Sequence, residues 1–500
     1  MFRFSSFAAA PALVILMGGT AHAALTADQV WQSWKDGAAL AGLTVTAATE
    51  ANAGGVLTLN GVTIKPEGEP VPFTISDMTL TEESDGSVTI RPGATMGIDI
   101  SEGRNLLKVA VAHDGLTITA REDGSALVYD FAAPKLGVDF NYAGETAALA
   151  EGQEKPLTTT SGAVSMEGLK GSWSDTAGTN RAFGLDLTST KFVYGFTSDN
   201  PGVQMKTTSH SETVDFSMGL KVTLPSTTPL MTVQSPSDFR KILDEGFAVA
   251  MTFAQGGNTG SASQEDQIFP YQMTITGQPS KAAISFDKTA LNVQSEGAGL
   301  AFSMTSPAVP APVEVSIGDV VMNLAMPVMA TTAADVALQM KLSQLTVSEG
   351  VWGMFDAGGA LKHEPLDLNI DVSGKTTLDL IGMAEAEETG GMPPIPAPEK
   401  LDITDISLKV AGAALGATGA FTFDNAMGIP MPLGEATVNV SGATALIDGL
   451  IKTGLIQEQD AMGVRMVMGM YMAPAGDDAL TSKIEAKEGF AIFVNGQQVQ

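Results

Sequence analysis

The chain has 500 residues, with no cysteine and a formal net charge of −29 at neutral pH. This charge repels nucleic acid and anionic lipid surfaces, and we find no basic patch that would offset it, so we expect no nucleic-acid partner. Because cysteine is absent, no disulfide can form in an oxidising compartment, and burial alone must hold the fold together.

Residues 1–23 are organised like a cleavable secretory signal. Arg3 supplies the positive start, a short apolar run follows, and Ala21-His22-Ala23 forms a small-x-small cleavage site. We therefore predict a periplasmic protein whose mature chain begins at Ala24, with secretion to the medium as the alternative. No later run of about 18 apolar residues occurs, so we expect no transmembrane segment in the mature chain.

The first mature element is predicted to be a helix. Thr26 and Gln29 have the spacing of a capping box, and Trp31 and Trp34 then share one face until Gly42. A helix that carries two tryptophans on one face needs an apolar surface to cover.

Most of the remaining chain is predicted to be β-strand, because apolar residues alternate with threonine, serine or charged residues. Asp85-Gly86, Asp114-Gly115 and Asp123-Gly124 are dipeptides that accept a positive φ in a tight hairpin. An antiparallel meander is the simplest arrangement of such strands. The predicted strands are 56–64, 73–81, 87–91, 108–111, 116–120, 183–196, 212–224, 271–275, 282–293, 313–322, 336–347, 366–380, 401–410 and 420–423, with a last hairpin over 483–499.

Helices interrupt this pattern in only a few places. Ser235 followed by Pro236 predicts a helix over 236–246, and Ser348 is expected to cap a short turn that holds Trp352 and Phe355. A pair of helices is predicted at 443–455 and 457–471.

Two stretches read as loops or linkers by composition, the Gly/Ser-rich 256–267 and the acidic, proline-rich 385–398. Neither divides the chain firmly. We place a soft boundary near residue 225, which gives a signal peptide (1–23), an N-terminal β-rich part with a leading helix (24–225) and a C-terminal β-rich part (226–500).

The predicted strand 336–347 has one apolar and one polar face. The apolar face holds Val336, Leu338, Met340 and Leu342, and the polar face holds Ala337, Gln339, Lys341 and Ser343. With so few helices, the apolar side of the sheet requires a second sheet, a curled trough or an apolar ligand in a groove. A closed sandwich and a groove remain equal alternatives.

Three short motifs suggest a penicillin-binding type of serine enzyme but do not support one. They are Ser285-Phe286-Asp287-Lys288, Ser198-Asp199-Asn200 and Lys452-Thr453-Gly454. Their order along the chain is wrong for that family, and Ser285 lies in a predicted strand instead of at the start of a helix. We therefore predict no catalytic residues and no enzyme, with Ser285 and His113 as the residues that any enzymatic alternative would involve.

No metal site is predicted. Asp367, Asn369 and Asp371 have the spacing of a calcium loop, but Val372 and Leu378 replace the glycine and glutamate that such a loop requires. These acids are instead expected on the polar face of a strand. The histidines of the mature chain, His113, His210 and His363, lack metal-ligand spacing, and no cofactor is expected.

Methionines form the most unusual feature of the composition. Met462, Met466 and Met470 lie four residues apart on one face of a predicted helix, and Arg465 is the only charged residue between 461 and 475. Such a stripe is a candidate for binding a lipid chain or another irregular apolar partner. Ordinary packing of a buried helix is the interpretation we favour, and Cu(I) binding is a weaker alternative.

The chain resembles a family of uncharacterised exported proteins of alphaproteobacteria, known as a domain of unknown function. The resemblance lies in 24–42 with its paired tryptophans, in 351–374, and in the tail at 477–485 and 494–496. It implies no activity and no catalytic residue. A more distant similarity of pattern links the chain to envelope proteins with long lipid-conducting β-sheets.

Together these observations predict a mainly β protein. We expect a long curved antiparallel sheet, arranged as a meander-like trough or a sandwich, with an N-terminal helix and a C-terminal helical pair. The favoured function is the binding or shuttling of a lipid or other apolar envelope molecule along the apolar sheet face. The alternative is a structural or protein-interaction module that has a closed β core, no ligand and an envelope protein as its partner.

Overall fold

The computed structural model describes residues 24–40, 43–66, 71–145, 156–225, 227–228, 230, 233–426 and 428–500. The predicted signal segment 1–23 lies outside these residues. The chain divides into two compact units, which we call unit 1 (Met1–Ser226 with Glu265–Gln267) and unit 2 (Thr227–Gln264 with Ile268–Gln500).

Unit 1 is a β-sheet with one helix. Its elements are α1 (Ala27–Leu40), β1 (Leu43–Thr46), β2 (Thr49–Ala53), β3 (Val56–Pro66), β4 (Phe73–Glu82), β5 (Val88–Pro92), β6 (Met96–Glu102), β7 (Asn105–Asp114), β8 (Thr117–Asp123), β9 (Ala126–Glu145), β10 (Leu157–Thr176), β11 (Asn180–Asn200) and β12 (Met205–Pro225). From β3 to β12 the strands pair antiparallel in chain order, with β5 and β6 together in one position and β7 and β8 together in the next, so the predicted meander is confirmed here.

Two strands of the unit 1 sheet are each interrupted part-way along their length. Both β5 and β6 pair with β4, and both β7 and β8 pair with β9, so each couple acts as one interrupted strand. Asp114-Gly115 lies at the second break, so the hairpin predicted there is wrong. The His113 side chain links the two interruptions. Its Nδ1 accepts a hydrogen bond from the Leu116 amide at 3.1 Å, and its Nε2 therefore donates to the Gly93 carbonyl at 3.1 Å.

The main hydrophobic core of unit 1 lies under α1. The predicted capping box is present, since Thr26 Oγ1 accepts from the Gln29 amide at 3.2 Å and Gln29 Oε1 accepts from the Thr26 amide at 2.9 Å. Trp31 and Trp34 are almost fully buried. They pack in one cluster with strand residues that include Leu57, Leu59, Leu80, Ile90 and Ala120.

Unit 2 is a second antiparallel meander with short helices. Its elements are α2 (Pro236–Asp244), β13 (Ala248–Gln255), β14 (Gly257–Glu265), β15 (Tyr271–Gly277), β16 (Ser280–Phe286), β17 (Ala290–Thr305), β18 (Val313–Pro327), β19 (Met329–Val347), α3 (Glu349–Trp352), β20 (Leu366–Asp379), α4 (Leu380–Thr389), β21 (Ala397–Val410), β22 (Ala413–Asp424), β23 (Met431–Ser441), α5 (Ala443–Lys452), α6 (Glu458–Tyr471), β24 (Ala473–Gly476), β25 (Ala479–Lys487), β26 (Ala491–Val494) and β27 (Gln497–Gln498). From β17 to β23 each strand pairs with the next, and β23 then pairs with β25.

A small core at α2 and α4 lies at the ends of several unit 2 strands. Leu243, Val328 and Ile381 are buried there, and Phe239 is among the residues that pack on them. Arg240 joins the two helices by hydrogen bonds to both Asp379 oxygens at 3.0 Å and to Glu385 at 2.9 Å. The other predicted helices, 236–246 and the pair at 443–471, are present as α2, α5 and α6.

Regular structure fills most of the first predicted linker, so that prediction is wrong, and it occupies both ends of the second, in which only 390–396 between α4 and β21 is a loop. The Gly/Ser-rich segment 256–267 contains β14, which pairs with β15 over seven residues, because long-range pairing overrides local composition. The segment 385–398 begins inside α4. That helix is capped by Asp379, whose side chain accepts from the Gly382 amide, and it ends at Gly390, which has a positive φ of 67°.

We predict that Trp31→Ala lowers the free energy of unfolding by about 3–5 kcal/mol, because it removes a buried ring and leaves a cavity under α1. Denaturant unfolding followed by circular dichroism measures the loss. Gln32→Ala is the control, since Gln32 is exposed on the same helix and its loss should cost no more than about 0.5 kcal/mol. Equal unfolding midpoints for the two variants would show that α1 does not hold this core.

Candidate functional site

Apolar side chains of unit 2 are aligned across neighbouring strands by the strand register. Directly paired residues in antiparallel strands lie on the same face of a sheet. Three such rows cross β18, β19, β20 and β21. They are Leu324, Leu338, Val372 and Ile403; Met322, Met340, Ile370 and Ile406; and Val320, Leu342, Leu368 and Leu408. We call these rows the unit 2 apolar face. They include Leu338, Met340 and Leu342 of the predicted apolar face, whereas the fourth residue, Val336, is paired with Gly374.

The apolar rows extend over the next strands. Leu415 and Val440 continue the third row in β22 and β23, and Val438 continues the second row. Smaller residues such as Ala417 and Ala436 stand between them. The sheet therefore keeps one apolar side over at least six consecutive strands.

A bulge in β21 keeps an apolar residue on this side of the sheet. β20 pairs Asp371 with Asp405 and Val372 with Ile403, so Thr404 is the extra residue and Ile403 stays in the first row.

The pairing of β17 with β18 is interrupted at Gly299 and Gly318, and the register is the same on both sides of the interruption. Gly299 has a φ of 55°, which favours glycine at this point.

The unit 2 apolar face is not covered. All residues of its three rows are half-buried or exposed, and Met322 keeps 40% of its surface accessible. In unit 1, by contrast, several strand residues that pack with α1 are at most 1% exposed, as at Leu57, Leu59 and Leu80. The described part of unit 2 therefore does not close as a sandwich over these rows.

The opposite face of the same strands is polar and internally bonded. Asn323 donates to Gln339 at 2.7 Å, and Asn369 donates to Asp405 at 2.7 Å. Asp367 accepts from the Gln344 amide at 2.8 Å. The acids that have calcium-loop spacing thus lie on the polar face of β20, as predicted.

Unit 1 carries an aromatic row that the sequence reading did not single out. It comprises Phe140, Phe192, Tyr194, Phe196 and Phe216 on β9, β11 and β12, with ring centroids 5.4 to 6.0 Å apart along the row. These rings are half-buried. The alternation of aromatic residues at 192, 194 and 196 was the signal for it, since every second residue of a strand faces one side.

The candidate methionines lie on α6, and they are exposed. Met462 and Met466 are each 60% exposed and Met470 is 62% exposed, while Ala461 is the buried residue of this helix. Packing of a buried helix, the interpretation we favoured from the sequence, is therefore wrong. The apolar pattern of α6 alone could not reveal this, because periodicity does not say what lies against a helix.

The serine motifs occupy ordinary structural positions. Ser198 lies in β11, Ser285 lies in β16, and Lys452 ends α5. The Ser285 hydroxyl accepts a hydrogen bond from Asn292 Nδ2 at 3.3 Å. This amide cannot serve as a general base for the serine.

Of the three histidines that lie in the described residues, His363 has the most polar surroundings. Its ring stacks on Trp352 with centroids 4.2 Å apart, its Nδ1 lies 2.9 Å from Glu349 Oε2, and its Nε2 lies 3.3 Å from Asp356 Oδ2. The Asp356 carboxylate is buried and also accepts from the Ala360 and Leu361 amides at 2.8 Å. This cluster ties the segment after α3 to the start of β20.

Opposing effects set the pKa values in this cluster. Desolvation works against the charged form of His363, but hydrogen bonds to Asp356 and Glu349 outweigh it and raise the pKa of the ring. Desolvation likewise opposes the ionised Asp356, and hydrogen bonds from Leu361, Ala360 and His363 outweigh it and lower the pKa of that carboxyl. Each group thus favours the charged form of the other.

Metal ligands are not assembled in the part of the chain that the structure describes. No group of three or more histidine, cysteine, aspartate or glutamate side chains there is placed to hold a metal ion. Both ring nitrogens of His363 are already engaged by carboxylates.

Comparison with known proteins gives one result. The profile of a family described as an uncharacterized protein conserved in bacteria (DUF2125) matches residues 207–491. The chain belongs to this family. No curated protein and no solved structure matches the chain.

The matched region determines which features belong to the family domain. It contains the unit 2 apolar face, the His363 cluster and α6, whereas α1 lies before it. The family description attaches no activity to the domain. The resemblance stated from the sequence is thus confirmed as far as an uncharacterised bacterial family.

Among the described residues, the helices are too short or too polar to cross a membrane.

We predict that His363→Gln reduces stability most at low pH. Because folding raises the pKa of His363, its stabilising contribution is complete below its ordinary value of 6.5 and is lost as the pH rises through the higher folded-state value. Thermal unfolding of both proteins between about pH 5.5 and pH 8.5 should show a difference in Tm that shrinks as the pH rises. A difference that stays constant over this range would contradict the assignment.

Proposed function

We propose that the protein binds a lipid or another apolar molecule of the cell envelope along the unit 2 apolar face, and that it is not an enzyme. The observation that carries this proposal is the alignment of apolar rows across β18 to β23 with no layer over them in the described residues. Contiguous exposed apolar surface of this kind marks a binding site in an otherwise acidic, water-exposed protein.

The energetics favour an apolar occupant. Full burial of a leucine, isoleucine or valine side chain stabilises by about 1.5–3 kcal/mol, so a partly buried residue of the rows retains at most about 1 kcal/mol of unused burial. Since strands are about 4.8 Å apart, the six strands from β18 to β23 offer a strip about 24 Å wide. An extended hydrocarbon chain can lie along such a strip and bury many of these side chains at once.

The absence of charged side chains from the rows agrees with this choice of ligand. The nearest cations of β19 and β20 lie on the polar face, where Lys341 is 3.8 Å from Asp319 and Lys375 is 3.4 Å from Asp335. The face thus offers burial without a charged contact, which suits an acyl chain or a similar apolar group. The likeness to lipid-conducting β-sheets of envelope proteins supports the proposal by analogy of pattern.

Location in the periplasm is part of the proposal. It rests on the signal-like segment 1–23 and on the likeness to exported proteins of alphaproteobacteria. A ligand from the envelope would be accessible to the protein in that compartment.

We predict that Met340→Glu weakens binding of an apolar probe by about tenfold or more. Met340 is half-buried at the middle of the second row, and a carboxylate there would be desolvated under the bound ligand. Titration with N-phenyl-1-naphthylamine, followed by fluorescence, measures the affinity, and native mass spectrometry of protein from an envelope fraction identifies lipid that copurifies.

The matched control is Gln339→Glu, which adds the same charge to the next residue of β19 but on the polar face. It keeps the oxygen that accepts from Asn323, so the fold and the probe affinity should stay unchanged. The proposal that the unit 2 apolar face binds an apolar ligand would be refuted by equal probe affinity of the two variants. It would also be refuted by a wild-type protein that takes up neither probe nor lipid. Recovery of an envelope protein in a pulldown, without extractable lipid, would favour the interaction module instead.

For the location, we predict that the protein expressed in a Gram-negative host is recovered from the periplasm and begins at Ala24, because export removes the signal. N-terminal sequencing of the periplasmic fraction checks this. Recovery of the uncleaved chain from the cytoplasm would contradict it.

A further inference from the structure

Helix α6 exposes apolar side chains over most of its circumference. At 100° per residue, Met462, Met466 and Met470 follow one another at steps of about 40° and so cover about 80° of the helix surface. Further exposed apolar side chains extend more than half-way around the helix. They are Val467 at 56%, Val464 at 49% and Tyr471 at 39% exposed. The narrow remaining stripe, which holds Ala461, Arg465 and Met468, is the part of α6 that is more buried.

From residue 461 onward this surface carries no net charge. Between 461 and 475 the only charged residue is Arg465, and it forms an ion pair with Asp448 of α5. Gly463 and Gly469 lie among the methionines, and the space where their Cβ atoms would stand is open. The first turn of α6 is acidic, with Glu458 and Asp460 exposed, and the rest of the helix is a neutral, apolar surface.

The width of this exposed apolar arc indicates that the partner of α6 is the hydrocarbon of a lipid layer, which can surround the helix, and not the surface of a protein. A helix that packs on a protein or on a second copy buries an apolar stripe only somewhat wider than about 100°. The exposed apolar arc of α6 is about twice as wide, so one flat partner would leave half of it in water. Hydrocarbon chains can surround an inserted helix and contact the whole arc at once.

We propose that α6 docks the protein on a membrane by inserting into the acyl region beneath zwitterionic headgroups. Lysine and arginine are absent from its exposed arc, and the strongly negative chain is repelled by anionic lipids, so charge favours a zwitterionic surface. At 14 residues the helix is about 21 Å long, which is too short to span a bilayer of about 30 Å. Tyr471, with its apolar ring and polar hydroxyl, suits the headgroup boundary.

The position of α6 also connects it with the unit 2 apolar face. Ser482 is paired with Val438 of the second row and so faces the same side of the sheet. Its hydroxyl donates to the Tyr471 carbonyl at 2.8 Å, and Asn495 Nδ2 donates to the same oxygen at 3.0 Å. The C-terminal end of α6 is thereby fixed at the β25 edge of that face. Docking itself does not require that the face bind a ligand.

Flotation with phosphatidylcholine vesicles tests the docking helix. We expect the full chain to float with the vesicles, with little change on adding salt, and the double variant Met466→Glu with Val467→Glu to lower the partition coefficient about tenfold or more. Both side chains are exposed, so the variant should fold normally, which circular dichroism checks. Met392→Glu is the matched control, because Met392 is 89% exposed in unit 2 outside α6, and it should float like the wild type.

Several outcomes would overturn the proposal. These are equal flotation of the double variant, binding only to anionic vesicles in a salt-sensitive way, or no flotation together with a dimer in solution that the double variant dissociates. The last result would assign α6 to contact with a second copy. Flotation of a protein that takes up neither probe nor lipid would support docking while refuting the ligand proposed for the sheet face.

Discussion

The antiparallel register of the strands is the constraint on which the rest of the structure depends. Because paired residues of neighbouring strands share a face, a period of two within each strand becomes a continuous apolar side across the sheet, as with Met322, Met340 and Ile370. A shift of one residue would place these side chains among the polar ones. The bulge in β21 preserves the arrangement, because it keeps Ile403 paired with Val372 in the first row.

The apolar side of the sheet is buried over part of unit 1 but remains accessible over β18 to β23 of unit 2. In unit 1 a helix with two buried tryptophans lies over one part of the sheet, and the strand residues beneath it are excluded from water. In unit 2 the buried cluster at α2 and α4 lies at the strand ends, and the rows of β18 to β23 remain accessible. The dry core of unit 1 is thus the part of its sheet that packs with α1, and the rows of unit 2 have no such cover in the described residues.

Local patterns predicted much of this fold from the sequence. The capping signals at Thr26 and Ser235 marked the starts of α1 and α2, and alternation marked most strands. The segment of β14 was misread because glycine and serine have weak strand preference and only pairing with β15 orders them. The exposure of apolar side chains could not be predicted from the sequence, for a different reason. The apolar pattern of the α6 methionines, and likewise that of the β19 leucines, is the same whether protein, lipid or water lies against it.

The uneven burial also determines where the chain gains most from an occupant. Strands whose side chains are only half-buried depend largely on backbone hydrogen bonds, and such regions open at lower cost than a packed core. A molecule that binds only the folded state adds its binding free energy to the stability of that state. The open rows of β18 to β23 are thus the segment whose amide protons should exchange fastest in the bare sheet and slow most when an apolar guest is present.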